Sequence, residues 1–136
     1  MRKKTRDKIK FDNRTIEAIK VNDLEFTYVA KDGSVKAKRK ILLPFQVPKK
    51  SITKGLKLCI HRDTGSKYFW LQFWYNGKAD YYSVGKFIPG SWGVSDVEDK
   101  LYPIVRSHTN DKGHWVKNPN ETERKEKAEK ERLIKS

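Results

Sequence analysis

Residues Lys54 to Phe87 read KGLKLCIHRDTGSKYFWLQFWYNGKADYYSVGKF, and their reading decides the fold. Leu56, Leu58 and Ile60 alternate with Lys57, Cys59 and His61. Phe69, Leu71, Phe73 and Tyr75 alternate with Trp70, Gln72 and Trp74, and Tyr82 and Val84 with Tyr81 and Ser83. A period of two puts the first member of each set on one face of a sheet and the second on the other. Asn76-Gly77 is a strong hairpin signal because both turn residues must tolerate positive φ, and Asp63-Thr64-Gly65-Ser66 marks a slightly longer turn. The stretch therefore predicts three antiparallel strands over 56–62, 67–75 and 79–85. One face is wholly apolar and needs a cover. The other carries indoles, a phenol, amides and bases.

The flanking sequence divides the rest of the chain. Residues 1–10 form a basic arm with no hydrophobic pattern, expected to be disordered alone and to hold Arg2, Lys3, Lys4 and Arg6. A short helix is expected from Phe11, capped by Asp12 or Asn13, with Ile16 and Ile19 as its apolar positions. Leu24–Ala30 and Val35–Leu43 read as two strands around Lys31-Asp32-Gly33-Ser34, and Pro44 and Pro48 are expected to end them. Ser95 with Glu98 forms a capping box, and Val97, Leu101, Ile104, Val105 and His108 recur at helical spacing, a stripe suited to cover the sheet. Pro103 sits inside that stripe and predicts a kink near Tyr102, or a helix that stops and restarts there. Asn118-Pro119 opens a last helix rich in Glu-to-Lys pairs four apart, such as Glu121-Lys125 and Glu126-Lys130, with too few apolar residues for a buried face. The expectation is an α+β protein: a three-stranded antiparallel sheet backed by a C-terminal helix, an N-terminal helix and hairpin extension, and a charged connector helix. Its parts are an arm over 1–10, a binding domain over 11–117 and the connector over 118–136.

Charge narrows the function. The 136 residues hold 31 Lys and Arg against 17 Asp and Glu, a net charge of +14. Such a field draws in polyanions and gives salt-dependent affinity for phosphate backbones. No run is apolar for long enough to span a bilayer, and no basic amphipathic helix carries bulky anchors, so a membrane partner is not expected. MRKKTRDKIK lacks the apolar stretch of a secretory signal. The lone Cys59 excludes an internal disulfide and fits a reducing compartment. A cytoplasmic location follows as the expectation.

Gly55-Leu56-Lys57-Leu58, Gly65-Ser66-Lys67, Phe69-x-Leu71-x-Phe73-x-Tyr75, Asn76-Gly77-Lys78 and Ser83-Val84-Gly85 together resemble the N-terminal arm-type DNA-binding domain of phage integrases, which are tyrosine recombinases. The helix from Ser95 falls where that family places its covering helix, and the resemblance extends over residues 11–108. It implies a sheet inserted into the major groove of duplex DNA, sequence-specific contacts from the outer face, a role in DNA integration and recombination, and a nucleoid-associated place in a bacterial host cell. Carried over by position, the candidates are Lys57, His61, Trp70, Gln72, Trp74, Tyr81 and Ser83; Arg62 and Lys67 are further DNA-binding candidates, Lys78 a contact indifferent to sequence, and the N-terminal arm a source of backbone or minor-groove contacts. The family usually places Arg or another polar residue where Trp70 and Trp74 stand, so the two indoles either meet DNA or pack under the N-terminal hairpin. The C-terminal helix is a candidate contact with other integrase protomers.

Enzyme readings find little support. The resemblance implies a catalytic Arg, His, Lys and Tyr set in a separate domain, and nothing after Trp115 is long enough to hold one. The chain is thus expected to bind and not to catalyse, with no catalytic residues, metal or cofactor. Cys59, His61, His108 and His114 match no common zinc spacing. Exposed aromatics on a basic sheet also suit single-stranded RNA or DNA, or a protein partner with the tryptophans as a hot spot.

Overall fold

A computed structural model describes residues 8–47 and 53–135. In chain order the elements are β1 (Ile9–Lys10), α1 (Asn13–Ala18), β2 (Thr27–Val29), β3 (Val35–Ala37), β4 (Lys40–Gln46), β5 (Leu56–His61), β6 (Lys67–Tyr75), β7 (Lys78–Lys86), α2 (Val94–His108) and α3 (Pro119–Lys135). The protein is α+β. The three expected strands are β5, β6 and β7, and they form the antiparallel centre of a larger sheet. Asn76 and Gly77 both take positive φ, 53° and 77°, as a two-residue hairpin requires.

Among the described residues the sheet has five strands rather than three, in the order β1-β4-β5-β6-β7. The expected strand over 35–43 is in fact two. It breaks at Lys38-Arg39, and its second part leaves the hairpin to pair with β5, Ile41 opposite Ile60 and Leu43 opposite Leu58. Ile41, Leu43 and Phe45 are buried, so β4 gains an apolar face by joining the sheet that it could not bury on a lone hairpin. Pro44 lies inside β4 instead of ending it. On β4's other side β1 pairs only with Phe45 and Gln46, so Pro44 stands at an edge position where a missing N–H is tolerated. The expected first strand also shrinks, from 24–30 to the three residues of β2, because Leu24 and Phe26 turn into the core.

Residues 9 and 10 are not an arm. They form β1, parallel to β4, and Ile9 is buried. Arg2, Lys3, Lys4 and Arg6 lie outside the described residues, as does Pro48.

The covered face is built by period-two alternation. Leu56, Leu58, Ile60, Phe69, Leu71, Phe73, Tyr82 and Val84 are all buried, and Val97 and Leu101 of α2 close over them. At about 25 cal/mol per Å2 of apolar surface removed from water, this layer is the main source of stability. Phe11 stands edge-on to Phe45 at 5.0 Å, and Phe45 stacks on Phe69 at 5.9 Å, which carries the core out to the N-terminal segment. At the other end Trp115 lies 4.9 Å from Phe73. Phe73 is thus sealed by the loop after α2.

Helix starts follow local chemistry. Asp12 caps α1, its carboxylate accepting from the Thr15 N–H at 2.9 Å and the Thr15 hydroxyl at 2.8 Å. α2 starts earlier than expected. Its cap is Gly93, whose N–H donates to the Asp96 carboxylate at 2.8 Å, in place of the Ser95–Glu98 box. α2 also runs unbroken through Pro103, with no restart at Tyr102. α3 begins at Pro119 as its sequence foretold, with the Asn118 side chain accepting from the Asn120 N–H at 2.9 Å. No helix among the described residues is long and apolar enough to cross a membrane.

Candidate nucleic-acid interface

The face of the sheet opposite the helices is the candidate site. Pairing register assigns it strand by strand: Lys40, Leu42 and Pro44 on β4; Lys57, Cys59 and His61 on β5; Tyr68, Trp70, Gln72 and Trp74 on β6; Tyr81 and Ser83 on β7. The aromatic and charged side chains of this face stand apart from the core cluster beneath the sheet.

Two clusters organise this face. In the first, the Lys40 ammonium sits 4.2 Å from the centroid of the Trp70 ring, and the Tyr81 ring lies 5.7 Å from the same indole. In the second, His61 meets Tyr68 edge-on at 5.1 Å, with the Lys86 ammonium 5.9 Å over the Tyr68 ring. A cation over an aromatic face is held by the ring quadrupole while its outer side remains free for an anion. Gln72 lies opposite Tyr81 and is half-buried, so its amide stands on the same surface. Trp74 is 64% exposed at the hairpin end. Ser83 is exposed opposite Trp70, and Lys57 is half-buried on its other side.

Seven of the expected contacts therefore share one face: Lys57, His61, Trp70, Gln72, Trp74, Tyr81 and Ser83. Three do not. Lys67 has the parity of Phe69 and points to the helix side, where its ammonium donates to the Ile16 carbonyl at 2.7 Å and approaches that of Glu17 at 3.5 Å. It closes the C-terminal end of α1, and burial lowers its pKa. Lys78 shares the parity of Asp80, again the helix side, at the exposed hairpin end. Arg62 lies just past β5, its Nε 3.1 Å from the Asp63 carboxylate.

Lys40, Tyr68 and Lys86 belong to the face and were missed from the sequence. Tyr68 had a signal, since it shares the parity of Trp70. Lys86 had none. A bulge places Phe69 opposite Gly85 but Trp70 opposite Ser83, which turns the end of β7 over and brings Lys86 opposite Tyr68. Lys40 was hidden because its strand looked like half of a hairpin.

Cys59 sits under this face, fully buried, opposite Leu42 and Tyr68. Burial pushes its thiol pKa up, against a smaller opposing pull from Lys40. A protonated, inaccessible thiol is a poor nucleophile or ligand. His108 is buried elsewhere, with Nδ1 2.8 Å from the Ile104 carbonyl and Nε2 2.9 Å from the Thr122 hydroxyl, tying α2 to α3. Among the described residues no three His, Cys, Asp or Glu side chains gather in a way that could hold a metal.

No protein-family model, curated protein or solved structure matches this chain.

Proposed function

We propose that this chain binds duplex DNA through the open face of its sheet, in the manner of an arm-site-binding module of a phage-type integrase. The observation that carries the reading is the pair of cation–aromatic clusters, Lys40–Trp70–Tyr81 and His61–Tyr68–Lys86, on the sheet face opposite the helices in a chain of net charge +14. The major groove is wide enough to admit a ribbon of strands. Lysines on this face meet phosphates, which fix register, while Gln72 offers an amide able to read an adenine edge. Trp70 and Trp74 contribute apolar contact to sugars and thymine methyl groups. In this reading the chain positions DNA and leaves recombination chemistry to a separate domain, with α3 leading toward it.

Duplex titration against salt tests this. Each neutralised phosphate contributes about −0.9 to the log–log slope on B-DNA, so several contacts give a steep fall in affinity. A flat salt response, or no duplex binding at low salt, overturns the reading.

The 64% exposure of Trp74 favours a second reading, in which single-stranded bases stack on the face. Competition separates the two. Single strands that displace a bound duplex at equal nucleotide concentration support stacking.

A further inference from the structure

The β2–β3 hairpin is a second feature with no structural reason for its composition. Among the described residues its two strands pair only with each other. Thr27–Val29 and Val35–Ala37 are exposed at every position, as are all residues from Lys31 to Lys40. A lone two-stranded hairpin is marginal in water. This one is fixed at its base, where the Lys38 N–H donates to the Phe26 carbonyl at 2.7 Å and the Arg62 N–H to the Arg39 carbonyl at 2.8 Å, with Phe26 anchored in the core. The tip is a turn set by Asp32, whose carboxylate accepts from the Ser34 N–H at 3.0 Å and hydroxyl at 2.6 Å. A firm base and a shaped tip make a projecting finger.

Its two faces differ in chemistry. Tyr28 lies opposite Lys36, and the Lys38 ammonium stands 5.4 Å over the Tyr28 ring, so one face is basic and aromatic. Val29 lies opposite Val35, 70% and 73% exposed, and Thr27 opposite Ala37, so the other face is aliphatic toward the tip, while at its base the Thr27 hydroxyl and N–H donate to the Glu25 carboxylate. The charge is also continuous with the sheet. Lys36, Lys38 and Arg39 run directly into Lys40, whose ammonium already lies on Trp70.

We infer that the β2–β3 hairpin is a second duplex-DNA contact, a finger that grips the phosphate backbone beside the sheet's own site and lays Val29 and Val35 against the sugars of the adjoining groove. The inference rests on the duplex reading of the open face and extends it. Charge complementarity selects the occupant: the basic side chains from Lys36 to Lys40 suit a polyanion, and a phosphate backbone offers both the anion row and an apolar sugar edge that the two faces require.

The experiment compares the native chain, Lys36→Gln/Lys38→Gln/Arg39→Gln, and Val29→Ser/Val35→Ser by salt titration and hydroxyl-radical footprinting on one duplex. The triple variant should flatten the log–log salt slope by about 2.7, three contacts at about 0.9 each, and lose protection along one edge of the footprint. The valine variant should weaken binding several-fold with the slope unchanged. Native circular dichroism in both variants shows that the fold is intact. If slope and footprint stay native in the triple variant while Gln72→Ala still alters sequence preference, the finger is refuted and the open-face reading stands. A native chain that fails to bind duplex refutes both. If polyglutamate displaces the native chain from duplex as well as unlabelled duplex of equal charge does, and the triple variant loses that competition, the finger's partner is an acidic polypeptide and the inference fails.

Discussion

Asn13 caps α2 from outside the helix: its Oδ1 accepts the Val94 N–H at 2.9 Å across 81 residues of sequence. Gly93, at the capping position, leaves room for it. A Cβ there would stand 2.2 Å from the Asn13 Oδ1. The backbone of Gly93 is extended, with φ −143°, so the constraint is space and not conformation.

That relationship predicts a coupled pair. Asn13→Ala should cost about 1 kcal/mol, the usual loss of a cap. Gly93→Ala should cost a similar amount by pushing the amide away. Because both remove the same bond, Gly93→Ala in the Asn13→Ala background should cost much less. Denaturant melts of the four proteins check this. Additive losses mean that Asn13 and Gly93 act separately.

Gly55 predicts a larger effect. Its φ is +87°, and a Cβ would lie 2.5 Å from the backbone carbonyl oxygen of Gln72. Its own carbonyl accepts the Gln72 N–H at 2.9 Å, so neither backbone can retreat without breaking the β5–β6 pairing. Gly55→Ala should cost roughly 2 kcal/mol or more, from a strained φ plus a backbone clash. Thermal melting reads it. A melting point within one degree of native refutes the close approach.

The two faces of β6 predict opposite outcomes at adjacent positions. Phe73 is 2% exposed against Trp115, so Phe73→Ala should cost about 3–5 kcal/mol. Gln72 lies on the open face, so Gln72→Ala should shift stability by less than about 0.5 kcal/mol while reducing discrimination between duplex sequences by about 1–3 kcal/mol. Paired melting and binding assays on the two variants decide it. Stable Phe73→Ala with unfolded Gln72→Ala would exchange the faces.

Asp80 predicts acid sensitivity of α3. Its carboxylate accepts from the Asn118 Nδ2 at 3.2 Å, the Tyr81 N–H at 2.8 Å and, at 3.4 Å, the Asn120 Nδ2. These bonds, that from Asn118 foremost, hold its pKa below the ordinary 3.8. A carboxylate with a lowered folded pKa stabilises fully above its unfolded pKa, and that stabilisation is lost as pH falls through the folded value. Docking of α3 should therefore be constant above about pH 5 and weaken below about pH 4. Asp80→Asn should weaken it at neutral pH and remove that step. Hydrogen exchange over 118–124 against pH reads both. An identical acid response in Asp80→Asn assigns the step to another group.

Much of the architecture was legible in the residues themselves. Alternation over 56–60, 69–75 and 81–84 with the Asn76-Gly77 turn determined three strands, their order and which side chains face the core, because hairpin pairing is local and a one-residue slip would bury Gln72 and Trp74. Asp12, Pro119 and the stripe through Val97 and Leu101 likewise determined three helices. The seven shared-face residues followed from parity alone. Only the tertiary structure decided the rest. Whether Ile41, Leu43 and Phe45 pair back onto a hairpin or across to β5 depends on which partner buries them, a non-local choice that no period reveals. Lys40 reached Trp70 as a consequence of that choice. The bulge opposite Phe69 carried Lys86 to the open face against simple alternation, and Lys67 was drawn to the carbonyls of α1 because a distant helix end needed a cation. Local periodicity determines which way a side chain points within its strand; the burial of surface far apart in sequence decides what it meets there.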